Sequence, residues 1–180
     1  MSFVPGWLIA TLTFPGVIVH ELAHQLFCRL FRVAVLEVCY FRFGNPSGFV
    51  VHEPPRTAGQ NILIGIGPFL VNSILSPLIM LPVVVNHTLG GRDFSPHELL
   101  LAWLGLSVGM HAFPSTGDAA SIWRSVWEPG SSLVARLISL PLVVLIYLGA
   151  LGSVIWLDLI YGLLVGLYLP SQGVRALAGG

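Results

Sequence analysis

Two histidines four residues apart, with a glutamate directly after the first, stand in an apolar stretch at His20-Glu21-Leu22-Ala23-His24. On a helix this spacing puts both side chains on one face, about 5–6 Å apart at Cβ, so each imidazole can offer a nitrogen to the same metal ion. Glu21 lies beside the first of them, within reach of a water held there. This is the H-E-x-x-H arrangement of zinc hydrolases, with the glutamate as general base. The surroundings sharpen the reading, because from Trp7 to Phe31 the chain is otherwise almost wholly apolar. Each ionisable group near a bilayer centre costs about 2.5–3.5 kcal/mol to insert, so three within one short stretch require a compensating partner. A single zinc ion meets that requirement. Polar groups satisfied by helix packing are the plain alternative.

Two histidines fill only part of a catalytic zinc shell, which takes three protein ligands and leaves a position open. Asp118 and His111 are the candidates for the third. Asp118 closes the broken stretch Phe113-Pro114-Ser115-Thr116-Gly117-Asp118, and irregular backbone at membrane depth is tolerated where it is buried in protein or lines a cavity. Its other reading is an N-cap of the short helix that follows. His111 is expected either as a supporting hydrogen-bond or oxyanion group or as a packing residue. In the next apolar run, Asn72 sets an amide among hydrophobic neighbours, either to orient substrate and stabilise developing charge or to pack helices together. Cys28 follows His24 by one turn and reads as a small buried thiol; with Cys39 it makes neither a zinc pair nor a disulfide framework.

The elements that must position these groups are membrane-spanning helices. Of the 180 residues, 55% are hydrophobic and only 9% charged, with a mean hydropathy of +0.86, against roughly 25% charged in soluble domains. The length suits one membrane-embedded domain, 1–180, with a core over 6–128 and a C-terminal helical hairpin over 133–170. Zero net charge gives no reason to expect a nucleic-acid partner. At about 20 residues per crossing, spans are expected near 6–31, 60–86, 97–113, 133–150 and 153–170. The first is too long for a signal-peptide core and is expected to be retained. The last two make a nearly continuous apolar run, turned at Gly149-Ala150-Leu151-Gly152-Ser153 or else forming one helix kinked at Pro141.

With five crossings, Arg29, Arg32, Arg42, Arg56, Arg124, Arg136 and Arg175 share one side and Arg92 alone takes the other. That bias puts the N-terminus outside and the C-terminus in the cytoplasm, in the cell membrane, with the histidine pair toward the cytoplasmic end of the first helix. Trp123 and Trp127, flanking Arg124, read as an interfacial segment in contact with lipid. Between the first two helices, Val33 to Val51 is rich in β-branched and aromatic residues around a turn at Gly44-Asn45-Pro46-Ser47-Gly48, the pattern of a short membrane-associated β-hairpin. The fold class is therefore an all-α polytopic membrane protein carrying one hairpin after helix one.

Taken together, these residues resemble the site-2-type intramembrane zinc metalloproteases. In that family the first core helix carries H-E-x-x-H, the second a G-P-x-x-N element, and the third an N-x-x-P segment leading to an Asp-Gly whose aspartate is the third zinc ligand. Here His20 to His24 match the first element, Gly67-Pro68-Phe69-Leu70-Val71-Asn72 carries one extra residue, His111-Ala112-Phe113-Pro114 has His in place of Asn, and Asp118 is followed by Ala119. The resemblance covers about Trp7 to Trp127, without a PDZ-like domain. It implies zinc-dependent hydrolysis of a peptide bond in a transmembrane protein or peptide substrate, with His20, His24 and Asp118 on the metal and Glu21 as catalytic base. Two other classes remain: a catalytically silent zinc-binding regulator, and an ion or proton transporter using His20, Glu21 and Asp118 as a relay.

Overall fold

The computed structural model describes residues 5–91 and 94–179. Arg92, the one arginine expected on the opposite side of the membrane, lies outside the described residues. Among the described residues the regular structure is helical apart from one two-stranded sheet, and three helical segments are long and apolar enough to cross a membrane, with a fourth if the bent N-terminal pair counts as one span.

That bend departs from the continuous first crossing expected over 6–31. Helix α1 (Gly6–Leu12) and helix α2 (Phe14–Leu30) meet at Thr13 with a 90° change of direction. Pro15 at the start of α2 cannot donate a backbone hydrogen bond to the preceding turn, and its ring excludes a helix running through it. Thr13 takes a non-helical conformation there, and its hydroxyl donates back to the Ile9 carbonyl at 2.7 Å.

Strands β1 (Val35–Cys39) and β2 (Phe49–His52) pair antiparallel, with Glu37 opposite Val51 and Cys39 opposite Phe49. The hairpin expected between the first two helices is thus present, and it packs on α2. Helix α3 (Ala58–Gly90) runs 33 residues through Pro68, Pro77 and Pro82, about 50 Å at 1.5 Å per residue and more than a bilayer core requires.

Helix α4 (Pro96–Met110) has 15 residues, roughly 22 Å of rise against a hydrocarbon core of about 30 Å. It ends at His111, so the third expected crossing, 97–113, is shorter as a helix than a full span. Its far end is wedged between neighbours: Ser76 Oγ of α3 donates to the Gly105 carbonyl at 2.8 Å, and Gly109 packs against that same hydroxyl. Small residues at these positions let helix backbones close on one another.

Helix α5 (Thr116–Val126) lies beside α3. Its buried face, Ala119, Ile122 and Val126, joins Ala58 and Ile62 of α3 and Ala135, Val143 and Ile146 of the next helix in one apolar cluster. Trp123 and Trp127 stand exposed on the outer side of α5, in keeping with an interfacial helix.

Helix α6 (Leu133–Gly152) passes through Pro141 without interruption. The apolar run breaks at a 3₁₀ turn, Ser153–Ile155, and at Trp156, whose φ of 63° is left-handed. Helix α7 (Leu157–Leu163), a π-helical turn (Leu164–Tyr168) and helix α8 (Leu169–Gly179) form the return. Two segments rather than one kinked helix result, with the turn slightly later than expected because Gly152, lacking a Cβ, lets Leu157 fold back over it.

Candidate metal and peptide site

Helix α2 presents His20, Glu21 and His24 on its buried side, all less than a tenth exposed. Each histidine is held by a main-chain carbonyl. His20 Nδ1–H donates to the His111 carbonyl at 2.8 Å, and His24 Nδ1–H donates to the Ile64 carbonyl at 3.0 Å. A carbonyl only accepts, so each ring carries a proton on Nδ1, and in the neutral ring the Nε2 lone pair is left free. Those two Nε2 atoms face each other at 3.2 Å. Without a proton or a cation between them, two lone pairs at that distance repel.

Asp118 completes the convergence. One carboxylate oxygen, Oδ1, lies 3.4 Å from His24 Nε2, and one donor atom from each of His20, His24 and Asp118 fits within 4.8 Å of the others. Among the described residues this is the group of three that can hold a metal ion. The other oxygen, Oδ2, accepts from the backbone N–H and the hydroxyl of Ser115 at 2.7 Å each, while Ser115 Oγ accepts from the Asp118 N–H. This is a reciprocal capping box in which Ser115 is the N-cap and Asp118 stands at the third helical position. Asp118 is therefore not the N-cap that the sequence also allowed: Ser115 is, with Asp118 as its reciprocal partner through Oδ2, while Oδ1 faces His24.

His111 enters through its main chain. Its carbonyl accepts from His20 and also from Asn72 Nδ2 at 2.9 Å. Its ring turns to the α1–α2 break, where Nε2–H donates to Thr13 Oγ1 at 2.8 Å. The imidazole is therefore engaged away from the histidine pair, and the side-chain oxyanion or ligand role considered for His111 is replaced by a carbonyl that orients His20. Asn72, completely buried, also donates to the Val108 carbonyl at 3.1 Å, so both its N–H groups tie α3 to the end of α4, and its Oδ1 has no partner. It acts on the site at one remove. Cys28 is fully buried and outside the three-donor group.

Glu21 points to the hairpin. Gly48 lies so close that a Cβ there would be 2.7 Å from Glu21 Cγ and 2.9 Å from Oε1. The glutamate, the histidines and Asp118 line a cavity of about 540 Å³ whose other walls are the hairpin from Asn45 to His52 and the α3–α5 face with Asn61, Gly65 and Ser121. All four consecutive residues of β2 line it. Successive strand side chains point to opposite faces, so a run of consecutive contacts means that the strand offers its edge. That edge is unpaired in a two-stranded sheet whose other side is occupied by β1. No protein-family model, curated protein or solved structure matches the chain.

Sequence reading missed the Ile64 and His111 carbonyls, the Asn61–Ser121 pair and the role of Gly48. Main-chain carbonyls leave no residue signature. Ser115-Thr116-Gly117-Asp118 did carry the spacing of a capping box, and Asn61 was visible as an amide before the apolar Ile62-Leu63-Ile64.

Proposed function

We propose that the protein is a membrane zinc metalloendopeptidase of the site-2 type, hydrolysing a peptide bond of a transmembrane protein or peptide within or beside the bilayer. The observation that carries this reading is the convergence of two histidine Nε2 atoms and one carboxylate oxygen beside a glutamate, in a cavity edged by an unpaired strand. Zinc fits the donor set: bonds of about 2.0–2.1 Å in a tetrahedron put two nitrogens about 3.3–3.4 Å apart, and the histidine nitrogens stand 3.2 Å apart. His20, His24 and Asp118 would hold the ion, leaving one position open. Bound there, zinc would supply Lewis acidity toward a water and the scissile carbonyl.

The chain's own residues do the rest. The Ile64 and His111 carbonyls select the neutral tautomer of each histidine that offers Nε2 as the lone-pair donor, and they aim the rings. Glu21 accepts the proton of the attacking water on its carboxylate and returns it to the nitrogen of the leaving amine. β2 takes up an unwound substrate as an added strand, satisfying backbone groups that the membrane would leave bare. The arginine distribution and the apolar runs support five crossings, α4 and the bent α1–α2 pair included, with the N-terminus outside and the site opening toward the cytoplasm and its lipid headgroups.

The test is metal analysis of the purified protein paired with Glu21→Gln. The variant should keep about one zinc per chain and lose hydrolysis by 10²–10⁴-fold, the usual contribution of a positioned acid–base group. Wild-type-like cleavage by that variant removes the mechanism. Bound zinc without any hydrolysis by the wild type makes the protein a silent metal-binding module, and zinc-free function driven by membrane potential makes it a transporter.

A further inference from the structure

An extended peptide has two hydrogen-bonding edges, and β2 serves only one of them. The other edge also needs partners, because a buried backbone group left unpaired costs about as much as a lost hydrogen bond. Across the cavity from the hairpin, the walls offered by α3 and α5 carry Asn61 and Ser121. Asn61 is 3% exposed, next to the apolar Ile62 of the same helix. Its Nδ2 donates to Ser121 Oγ at 3.2 Å, which uses one of its two N–H bonds, and Oδ1 has only a 3.5 Å approach from the same hydroxyl. A carboxamide offers the donor and acceptor of a peptide unit.

The pair is not alone in docking α5 on α3. The apolar cluster of Ile62, Ile122 and Val126 joins α5 to α3, and Gly65, lacking a Cβ, lets Ile122 and Asp118 pack against it. Beyond that tie, the Asn61 carboxamide in this cavity wall keeps one N–H and most of its acceptor capacity for a further partner. We propose that Asn61, with Ser121, is the second edge of the substrate groove: its carboxamide takes a backbone N–H and C=O of an extended peptide whose opposite edge is added to β2. Recognition on this side is then of main chain rather than side chain. The substrate class is any segment able to unwind and lie extended between the two walls. This rests on the peptidase reading above.

The test uses full-length protein bearing Glu21→Gln, so that binding is read without turnover, and a fluorescent peptide of alternating Ala and Val in detergent micelles. Asn61→Leu combined with Ser121→Ala removes both partners and leaves neither orphaned. Affinity for the peptide should fall about 10-fold, the worth of one or two hydrogen bonds, with zinc content and melting temperature unchanged. N-methylation of the peptide at single positions should weaken binding to the parent at one or more sites where it no longer matters in the double variant. Unchanged affinity overturns the proposal. So does loss of affinity accompanied by loss of zinc, which makes the pair a positioning device for Asp118. A peptide that binds and responds to Asn61 while the wild type hydrolyses nothing keeps the groove and removes the peptidase.

Discussion

Asp118→Asn separates the two duties of one carboxylate. The amide oxygen of asparagine can still accept from the Ser115 N–H and hydroxyl, as Oδ2 does at 2.7 Å, so the capping box survives. What changes is the atom facing His24, where Oδ1 stands 3.4 Å from Nε2 and is replaced by an NH₂ that donates and carries no charge. An ion held there would lose its one anionic ligand, and since partners that merely support a metal ligand are already worth about 10–100-fold in metal affinity, a ligand itself is worth at least the upper end of that range, about 2.7 kcal/mol. Chelator competition in detergent should therefore show zinc affinity down by about 100-fold or more, while the melting temperature of the metal-free protein stays near that of the metal-free wild type. Ser115→Ala is the counterpart: it costs about 1 kcal/mol of capping and much less zinc affinity. Equal zinc affinity in Asp118→Asn and the wild type would refute the ligand assignment and leave Asp118 as a capping residue alone.

Gly48→Ala should lower turnover about 10-fold or more by pushing Glu21 from its place against the hairpin, with zinc binding intact, since misplaced catalytic groups are costly even at 1 Å; unchanged turnover would show that the glutamate works from another position. His111→Leu removes a ring bonded only to Thr13 while keeping the carbonyl that orients His20, so zinc content should hold and activity should stay within about 3-fold, in line with one modest hydrogen bond. Zinc loss in that variant would return the ring to the metal. For topology, cysteines replacing Arg56 and Arg124 in a protein without Cys28 and Cys39 should both react from the cytoplasmic side, and labelling on opposite sides would end the five-crossing scheme.

Local chemistry was legible in the chain. The spacing of His20 and His24 sets two imidazoles on one helix face whatever surrounds them, and apolar runs of membrane-crossing length announce their helices because the bilayer leaves backbone polar groups no other partners. The hairpin was readable from its β-branched flanks and the turn at Gly44 to Gly48. The break at Thr13 was in principle readable from Pro15, but a long apolar run hides a bend that composition does not register. What only the tertiary structure decided is which distant groups meet. Asp118 reaches His24 because α5 packs on α3 at Gly65, and His111 gives its carbonyl rather than its ring because Thr13 captures the imidazole. The free Nε2 atoms depend on the carbonyls of Ile64 and His111, and every residue has a carbonyl, so no sequence pattern marks the two that matter. Side-chain type and short-range period are written residue by residue, whereas the meeting of main-chain groups from α2, α3 and the end of α4 follows only from how those helices pack.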